Sequence, residues 1–332
     1  MKAIVMTAVG GPEVLQAHDI SKPETCAGNE VIVKLKAAGV NPVDTKLRSK
    51  GTYRPDASPT VLGCDGAGVI EIVGKNIKDF KPGDEVWYCY GGIGGPRGNY
   101  AEYAVVDANT LALKPKNFSF EESAALPLVL ITAWEALHDR ARMQTGQTVL
   151  IHAGAGGVGH VAIQLAKAAG CKVITTVSDE HKGKLVKMFG ADEVINYKKE
   201  DVVKRTLELT HNQGVDIAFD TVGGKTFQQT FPAIKPYGDI VTILQPDFDC
   251  DWKIARMRNL RISLELMLSP MYYGWDDALK HQGWIMQQCT QLANAGKLKP
   301  HVSQRFTLVE AAKAHHLIEV GGMLGKTVLT IV

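Results

Sequence analysis

Gly154-Ala155-Gly156-Gly157-Val158-Gly159 decides how this chain folds, because of what stands on either side of it. The apolar run Val149-Leu150-Ile151 precedes it, and after it apolar residues recur at Val158, Val161, Ala162, Leu165 and Ala166, the spacing of one helix face. Gly170 ends that helix. In a strand, glycine turn and helix of this kind the first glycine permits the tight turn. The second lets backbone approach a pyrophosphate, and the third lets helix pack closely on strand. Free N–H groups and the helix dipole then favour phosphate. A dinucleotide is therefore the expected ligand of Gly154, Ala155, Gly156, Gly157, Val158 and Gly159.

A second glycine string, Gly91-Gly92-Ile93-Gly94-Gly95-Pro96, also follows a strand-like run. It leads through Gly98 into the β-like Ala101-Glu102-Tyr103-Ala104-Val105, so no helix start is available to hold phosphate and a loop is expected.

Outward from the turn, strand runs alternate with helical patterns. Strands are expected at Thr148–His152, Lys172–Val177, Glu193–Asn196, Val215–Asp220, Asp239–Leu244 and Arg261–Leu268. Such alternation gives a doubly wound parallel sheet, and six strands complete the dinucleotide (Rossmann) fold. From Lys2 to about Val106 the pattern is instead β-like, with turns such as Lys81-Pro82-Gly83-Asp84. After Pro270 come a helical segment from Asp276 to Ala295 and a last strand, Lys326–Ile331, which has no place in the alternation. Its expected home is the β-rich part. The expected class is α/β, with a six-stranded Rossmann domain at 127–270 inserted between the two pieces, 1–126 and 271–332, of a β-rich domain.

The 332 residues carry 37 basic and 35 acidic side chains, so a basic excess for nucleic acid is lacking. Gly10-Gly11-Pro12 interrupts the first apolar run too early for a signal peptide, and no apolar stretch approaches the roughly 20 residues of a membrane span. Six scattered cysteines, Cys26, Cys64, Cys89, Cys171, Cys250 and Cys289, form no Cys-x-x-Cys pair. A cytoplasmic protein without membrane or nucleic-acid partners is expected.

Which dinucleotide binds depends on the end of the second Rossmann strand, Thr175-Thr176-Val177-Ser178. Val177 or Ser178 leaves room for a 2′-phosphate and Lys182 can supply charge, which points to NADPH. Asp179 is the opposing signal, because an acidic residue at that place accepts from the ribose hydroxyls of NADH.

Several segments lie in an order and spacing that resemble the medium-chain dehydrogenase/reductase superfamily. They are Ala37-Ala38-Gly39-Val40-Asn41-Pro42-Val43-Asp44, Leu62-Gly63-Cys64-Asp65-Gly66-Ala67-Gly68-Val69, Ile131-Thr132-Ala133-Trp134-Glu135-Ala136-Leu137 and Gly325-Lys326-Thr327-Val328-Leu329. With the glycine turn and Lys81-Pro82-Gly83-Asp84 they cover nearly the whole chain, and within the superfamily the likeness is to the quinone oxidoreductase branch. The resemblance implies that the β-rich part is a GroES-like catalytic domain. Zinc enzymes of the superfamily have a cysteine near Val40-Asn41, a histidine at Cys64 and a four-cysteine lobe where Cys89 stands alone. Zinc needs three or four ligands, mostly Cys or His, so no zinc and no metal site are expected.

Without a Lewis acid, the expected reaction is hydride transfer to a small electrophilic acceptor, a quinone or an α,β-unsaturated carbonyl compound. An enoyl thioester reductase and a non-catalytic NADPH-binding protein are the alternatives. The resemblance brings Asn41, Asp44, Lys46, Arg48 and Tyr53 near the cleft, with Asn41 as a holder of amide or carbonyl and Tyr53 or Lys46 as donor to the oxyanion. Each also has a plain reading: Asp44 and Arg48 as a surface helix pair, Lys46 solvated, Tyr53 a packed loop aromatic, Asn41 a turn residue. Cofactor contacts are implied at Thr132, Ser178, Lys182, Tyr197, Asp220, Thr221, Val222, Leu244, Gly325 and Lys326. His315-His316 is read as surface. Arg261–Leu268 alternates apolar and polar residues at a sheet edge, and a homodimer through that edge is the family expectation.

Overall fold

The computed structural model describes residues 1–332. Contacts divide the chain into two compact units, the first comprising Met1–Leu128, Leu268–Gly296 and Pro300–Val332, the second Val129–Met267 and Lys297–Lys299.

The first unit opens with β1 (Lys2–Met6) and β2 (Leu15–Asp19), an antiparallel ribbon. There follow β3 (Glu30–Val40), α1 (Pro42–Lys50), β4 (Asp65–Val73), β5 (Glu85–Cys89), β6 (Tyr103–Asp107), β7 (Leu111–Leu113) and α2 (Phe120–Ala124). Val31, Ile32 and Val33, successive β-branched residues, are wholly buried in β3 because the strand is covered on both faces. The chain turns from β3 into α1 at Asn41-Pro42: proline occupies the first helical turn, and the Asp44 carboxylate reaches back to accept from Asn41 N at 2.8 Å.

The second unit follows α3 (Pro127–Trp134) and lays down β8 (Thr148–Ile151), α4 (Gly157–Ala168), β9 (Lys172–Val177), α5 (Glu180–Met188), β10 (Glu193–Asn196) and α6 (Val202–Leu209). It continues with β11 (Val215–Asp220), α7 (Lys225–Gln229), β12 (Ile234–Thr242), α8 (Lys253–Met257) and β13 (Arg261–Leu264). All six strands are parallel, in the order β10-β9-β8-β11-β12-β13. The winding reverses between β8 and β11, the switch point at which such sheets bind ligands. Leu150, Ile174, Ile195, Ala218 and Ile240 pack one apolar layer with Phe227 and Phe231. β12 begins five residues before the expected Asp239, and β13 ends at Leu264 rather than Leu268. The shortening has a local cause: β13 pairs only with β12, and Leu268 already caps the next helix, whose first turn holds Pro270.

The chain returns to the first unit through α9 (Ser269–Tyr273), α10 (Asp276–Asn294), β14 (Val302–Thr307), α11 (Ala311–Val320) and β15 (Lys326–Thr330). β15 joins β3 antiparallel, with Val328 opposite Gly39, so the last strand does close the β-rich sheet. β14, a half-exposed partner of β15, was not visible in the sequence. No helix is long and apolar enough to cross a membrane.

Candidate functional site

In the second unit the glycine turn is shaped by what its glycines touch. A Cβ on Gly154 would stand 2.1 Å from Thr175 Oγ1, and one on Gly159 would stand 2.4 Å from Ala153 O and 2.7 Å from Gly154 Cα. Both therefore serve close packing of helix on strand. A Cβ on Gly156 would meet only Ala153 O, at 3.2 Å, so its missing side chain keeps the outer side of the turn open. Ala153 takes φ +49°, and the bend is held by Ala153 N donating to Thr176 Oγ1 (3.0 Å) and Gly154 N to Thr176 O (3.1 Å). α4 starts at Gly157, and the first N–H groups of a helix have no acceptor within it. Gly157, Val158 and Gly159 thus offer donors at the positive end of a helix, beside an uncovered Gly156. That cradle fits a pyrophosphate.

A cavity of about 570 Å³ at the carboxyl ends of β8 and β9 brings Tyr197 and Val222 together with Ala153, Thr176 and His152. Its floor was missed in the sequence. Thr230 Oγ1 donates to Thr226 O at 2.7 Å, so His152 Nε2, 2.8 Å from Thr230 Oγ1, must be the donor in their contact. His152 Nδ1 is left to accept from Thr176 Oγ1 at 3.4 Å. Burial drives the His152 pKa down to about 4, which keeps the ring neutral.

Asp220 is wholly buried, and its carboxylate accepts from Val222 N, Gly223 N and Thr242 Oγ1. It builds the turn that presents Val222 and has no free face for a ligand. Thr221 Oγ1 donates to His152 O at 2.9 Å, and Leu244 packs where a Cβ on Gly223 would stand. Thr132 lies nearly buried on α3.

At the end of β9, Asp179 is the N-cap of α5: Oδ1 accepts from Lys182 N at 2.9 Å and Oδ2 from Ser178 Oγ at 2.8 Å. Lys182 Nζ stands 3.9 Å from Oδ2. The backbone hydrogen bond from Lys182, then the Ser178 hydroxyl, hold the carboxyl below its ordinary pKa. Ser178, Asp179 and Lys182 therefore form one group, with the acidic and basic signals read from the sequence in direct contact.

In the first unit, Asn41 sits at the centre of a buried polar cluster. Its Nδ2 donates to Asp65 Oδ2 at 2.9 Å, and its Oδ1 accepts from Lys326 Nζ. Lys326 Nζ also donates to Val40 O at 3.3 Å and stands 4.0 Å from Asp65 Oδ2; Leu128 N donates to Asp65 Oδ1 at 2.7 Å. Gly325, at φ +56° against His301 O, makes the turn that delivers Lys326. Burial lowers the Lys326 pKa and raises that of Asp65, each opposed by the other's charge.

Asp44 accepts from Tyr100 Oη at 3.0 Å and from Cys64 Sγ at 3.8 Å, and burial, with Asp65 nearby, pushes its pKa up to about 7. No three His, Cys, Asp or Glu side chains are arranged to hold a metal ion. The donor set does not suit one: Cys64 is a thiol donating to Asp44, and the counter-charge of Asp65 is an ammonium.

The reading of Asp44 and Arg48 as a surface pair does not hold, since both are buried and Arg48 pairs with Glu319. His315 is not at the surface either: only His316 is exposed, while His315 is buried with Nε2 3.2 Å from Tyr100 Oη. The signal was present, because His315 lies one turn after Ala311 on the apolar face of α11. Lys46 is solvated. Tyr53 is half-exposed, its ring 5.1 Å from that of Tyr272, and its N–H donates to Ile93 O at 3.0 Å. The second glycine string is indeed a loop, and it anchors both neighbours. Gly91 N donates to Met271 Sδ at 3.2 Å, and a Cβ on Gly94 would stand 2.9 Å from Thr52 Oγ1.

Comparison with known proteins agrees with this architecture. Residues 27–116 match the family described as alcohol dehydrogenase GroES-like domain, and residues 189–329 match that described as zinc-binding dehydrogenase. A quinone oxidoreductase of Pseudomonas aeruginosa is 34% identical over 99% of both chains. The structure of Escherichia coli quinone oxidoreductase complexed with NADPH is 31% identical with a TM-score of 0.85, covering 99% of this chain and 100% of that one. An NAD-dependent alcohol dehydrogenase structure is 35% identical with a TM-score of 0.89, covering 100% of both. Sequence motifs, strand order and full-length relatives together make this chain a member of the quinone oxidoreductase branch of the medium-chain dehydrogenase/reductase superfamily.

Proposed function

We propose that this oxidoreductase uses NADPH, without zinc, to reduce a quinone or an α,β-unsaturated carbonyl compound. The observation that carries the reading is the buried cluster around Asn41: of the places that the resemblance gives to zinc ligands, one holds the amide of Asn41, bonded to Asp65 and Lys326, and another the Cys64 thiol, bonded to Asp44. An acceptor that needs no Lewis acid suits such a site. The cofactor supplies the hydride. The chain's part is to hold the pyrophosphate on Gly156–Gly159, the adenosine half beside Tyr197 and Val222, and the 2′-phosphate at Ser178 and Lys182. Tyr53, whose phenol is within reach of solvent, and Lys46 are the donors assigned to the oxygen on which negative charge develops. Asn41 is held in one orientation by Asp65 and Lys326, which suits a group that positions an amide or carbonyl.

Asp179 favours a second reading of the cofactor, NADH, because it places a carboxylate at the end of β9. A homodimer and a cytoplasmic location complete the proposal, supported by the exposed edge of β13 and by six unpaired cysteines. Stopped-flow oxidation of NADPH and NADH against quinones, 2-alkenals and enoyl thioesters tests it, with metal analysis of the same sample. Turnover of quinones or 2-alkenals with less than one equivalent of zinc is expected. Binding without turnover on every acceptor, or a tightly held zinc, would overturn it.

A further inference from the structure

Five side chains of the first unit form a connected path that the function above does not use. Asp44 and Arg48 lie on α1, His315 and Glu319 on α11, and Tyr100 joins the two helices. Arg48 is 1% exposed, gives Nη2 to Glu319, and has no partner for Nε or Nη1; His315 Nδ1 has none either. Tyr100 Oη has one proton and two neighbours, Asp44 Oδ2 at 3.0 Å and His315 Nε2 at 3.2 Å. Where that proton goes decides the rest.

Two arrangements satisfy the path. In the first, Asp44 is ionised and takes the Tyr100 proton, His315 donates from Nε2 to Tyr100 Oη, and the bare lone pair of Nδ1 is left on the side of the ring without a partner. In the second, which holds one proton more, Asp44 donates to Tyr100 Oη, Tyr100 donates to His315 Nε2, and the ring carries its hydrogen on Nδ1. The imidazole is neutral in both, since burial and the Arg48 charge push its pKa down to about 3. A guanidinium with unused donors favours a lone pair over an N–H, so Arg48 stabilises the first arrangement.

We infer that Arg48 and His315 are positioning residues that set the charge of Asp44 through Tyr100, with protonation of Asp44 and the tautomer of His315 changing together. The groups facing this path are few. Asp44 bonds to Cys64 and Tyr100 and lies in the fields of Asp65 and Lys326, His315 lies in the field of the Arg48 charge, and Arg48 pairs with Glu319. Because the Asp44 carboxylate accepts from Asn41 N, its charge also governs the start of α1 where Asn41 is held. The link to catalysis rests on the proposed role of Asn41 in acceptor binding; the coupling itself does not.

Long-range proton–nitrogen correlation spectra of the full-length protein test it, with His315 assigned from the His315→Gln spectrum. Above the titration of Asp44, His315 is expected as the Nε2–H tautomer, and it should change to Nδ1–H over the same pH range in which the Asp44 carboxyl carbon titrates. In Arg48→Met both transitions should move up by about one pH unit, and the pH limb of kcat for 1,4-naphthoquinone should move with them. Nδ1–H at high pH, or an unchanged tautomer while Asp44 titrates, overturns the inference from the unmutated protein alone. Coupled transitions with a pH-independent kcat leave the path standing and refute the proposed role of Asn41 in acceptor binding.

Discussion

Lys326 Nζ stands 4.0 Å from Asp65 Oδ2, and both side chains are withdrawn from water. Removing one partner of a buried pair leaves an uncompensated charge, which costs about 3–5 kcal/mol. Lys326→Met should therefore lower the unfolding free energy by that order in urea titrations. Adding Asp65→Asn should recover a large part of the loss. If the double variant is as unstable as the sum of the singles, the two charges do not compensate each other.

Asp44 gives a pH dependence of defined sign. Its carboxyl moves from 3.8 to about 7 on folding, so across that interval the folded chain holds a proton that the unfolded chain has released. Stability from this group is present at the acid end and is lost as pH rises toward neutrality. Asp44→Asn cannot titrate and should show a shallower decline of unfolding free energy over the same range. Parallel curves for the two proteins would assign the shift to some other group.

Much of this was legible in the sequence because it is local. Val149-Leu150-Ile151 followed by glycines and a helical repeat can form little except a strand, turn and helix, and four of the six expected strands begin and end within a residue of the observed ones. Contacts between distant residues were not legible. Asn41 and Lys326 are 285 positions apart, and no periodicity announces that the ammonium meets that amide. Asp179 shows a third case: the acidic residue was visible, but its commitment as the cap of α5 was decided by where β9 stops.

The glycines of the turn should separate by role. Gly159→Ala puts a methyl 2.4 Å from a backbone oxygen that cannot move independently, so the melting temperature should fall steeply. Gly156→Ala meets one oxygen at 3.2 Å and should fold nearly normally, yet lose NADPH affinity as measured by nicotinamide fluorescence, at least tenfold or about 1.4 kcal/mol. Equal destabilisation by both would mean that Gly156 also serves packing alone.

If NADPH binds as proposed, the opposing charges of Asp179 and Lys182, 3.9 Å apart, should set the dinucleotide preference. Asp179→Ser keeps an oxygen for the α5 cap, removes the negative charge beside Lys182, and should lower KM for NADPH relative to NADH. Lys182→Ala should raise KM for NADPH more than for NADH. An equal effect on the two cofactors, for either variant, would place the 2′-phosphate elsewhere.

The edge of the parallel sheet carries the last prediction. β13 pairs with β12 on one side, and its other side offers unpaired backbone N–H and C=O groups. Ile262, Leu264 and Leu266 are 37%, 60% and 57% exposed along this margin, an apolar surface that water disfavours. A second copy related by a two-fold axis would lay the same strand alongside in the antiparallel sense, pairing the backbone groups and covering the three side chains at once. Light scattering at micromolar concentration should then give twice the chain mass of 36.0 kDa. Leu264→Lys sets two like charges close to the axis, so it should shift the protein to monomer while leaving each folded unit intact by circular dichroism. A monomeric mass for the unmutated protein, or an unaltered dimer for Leu264→Lys, would remove this edge as the contact.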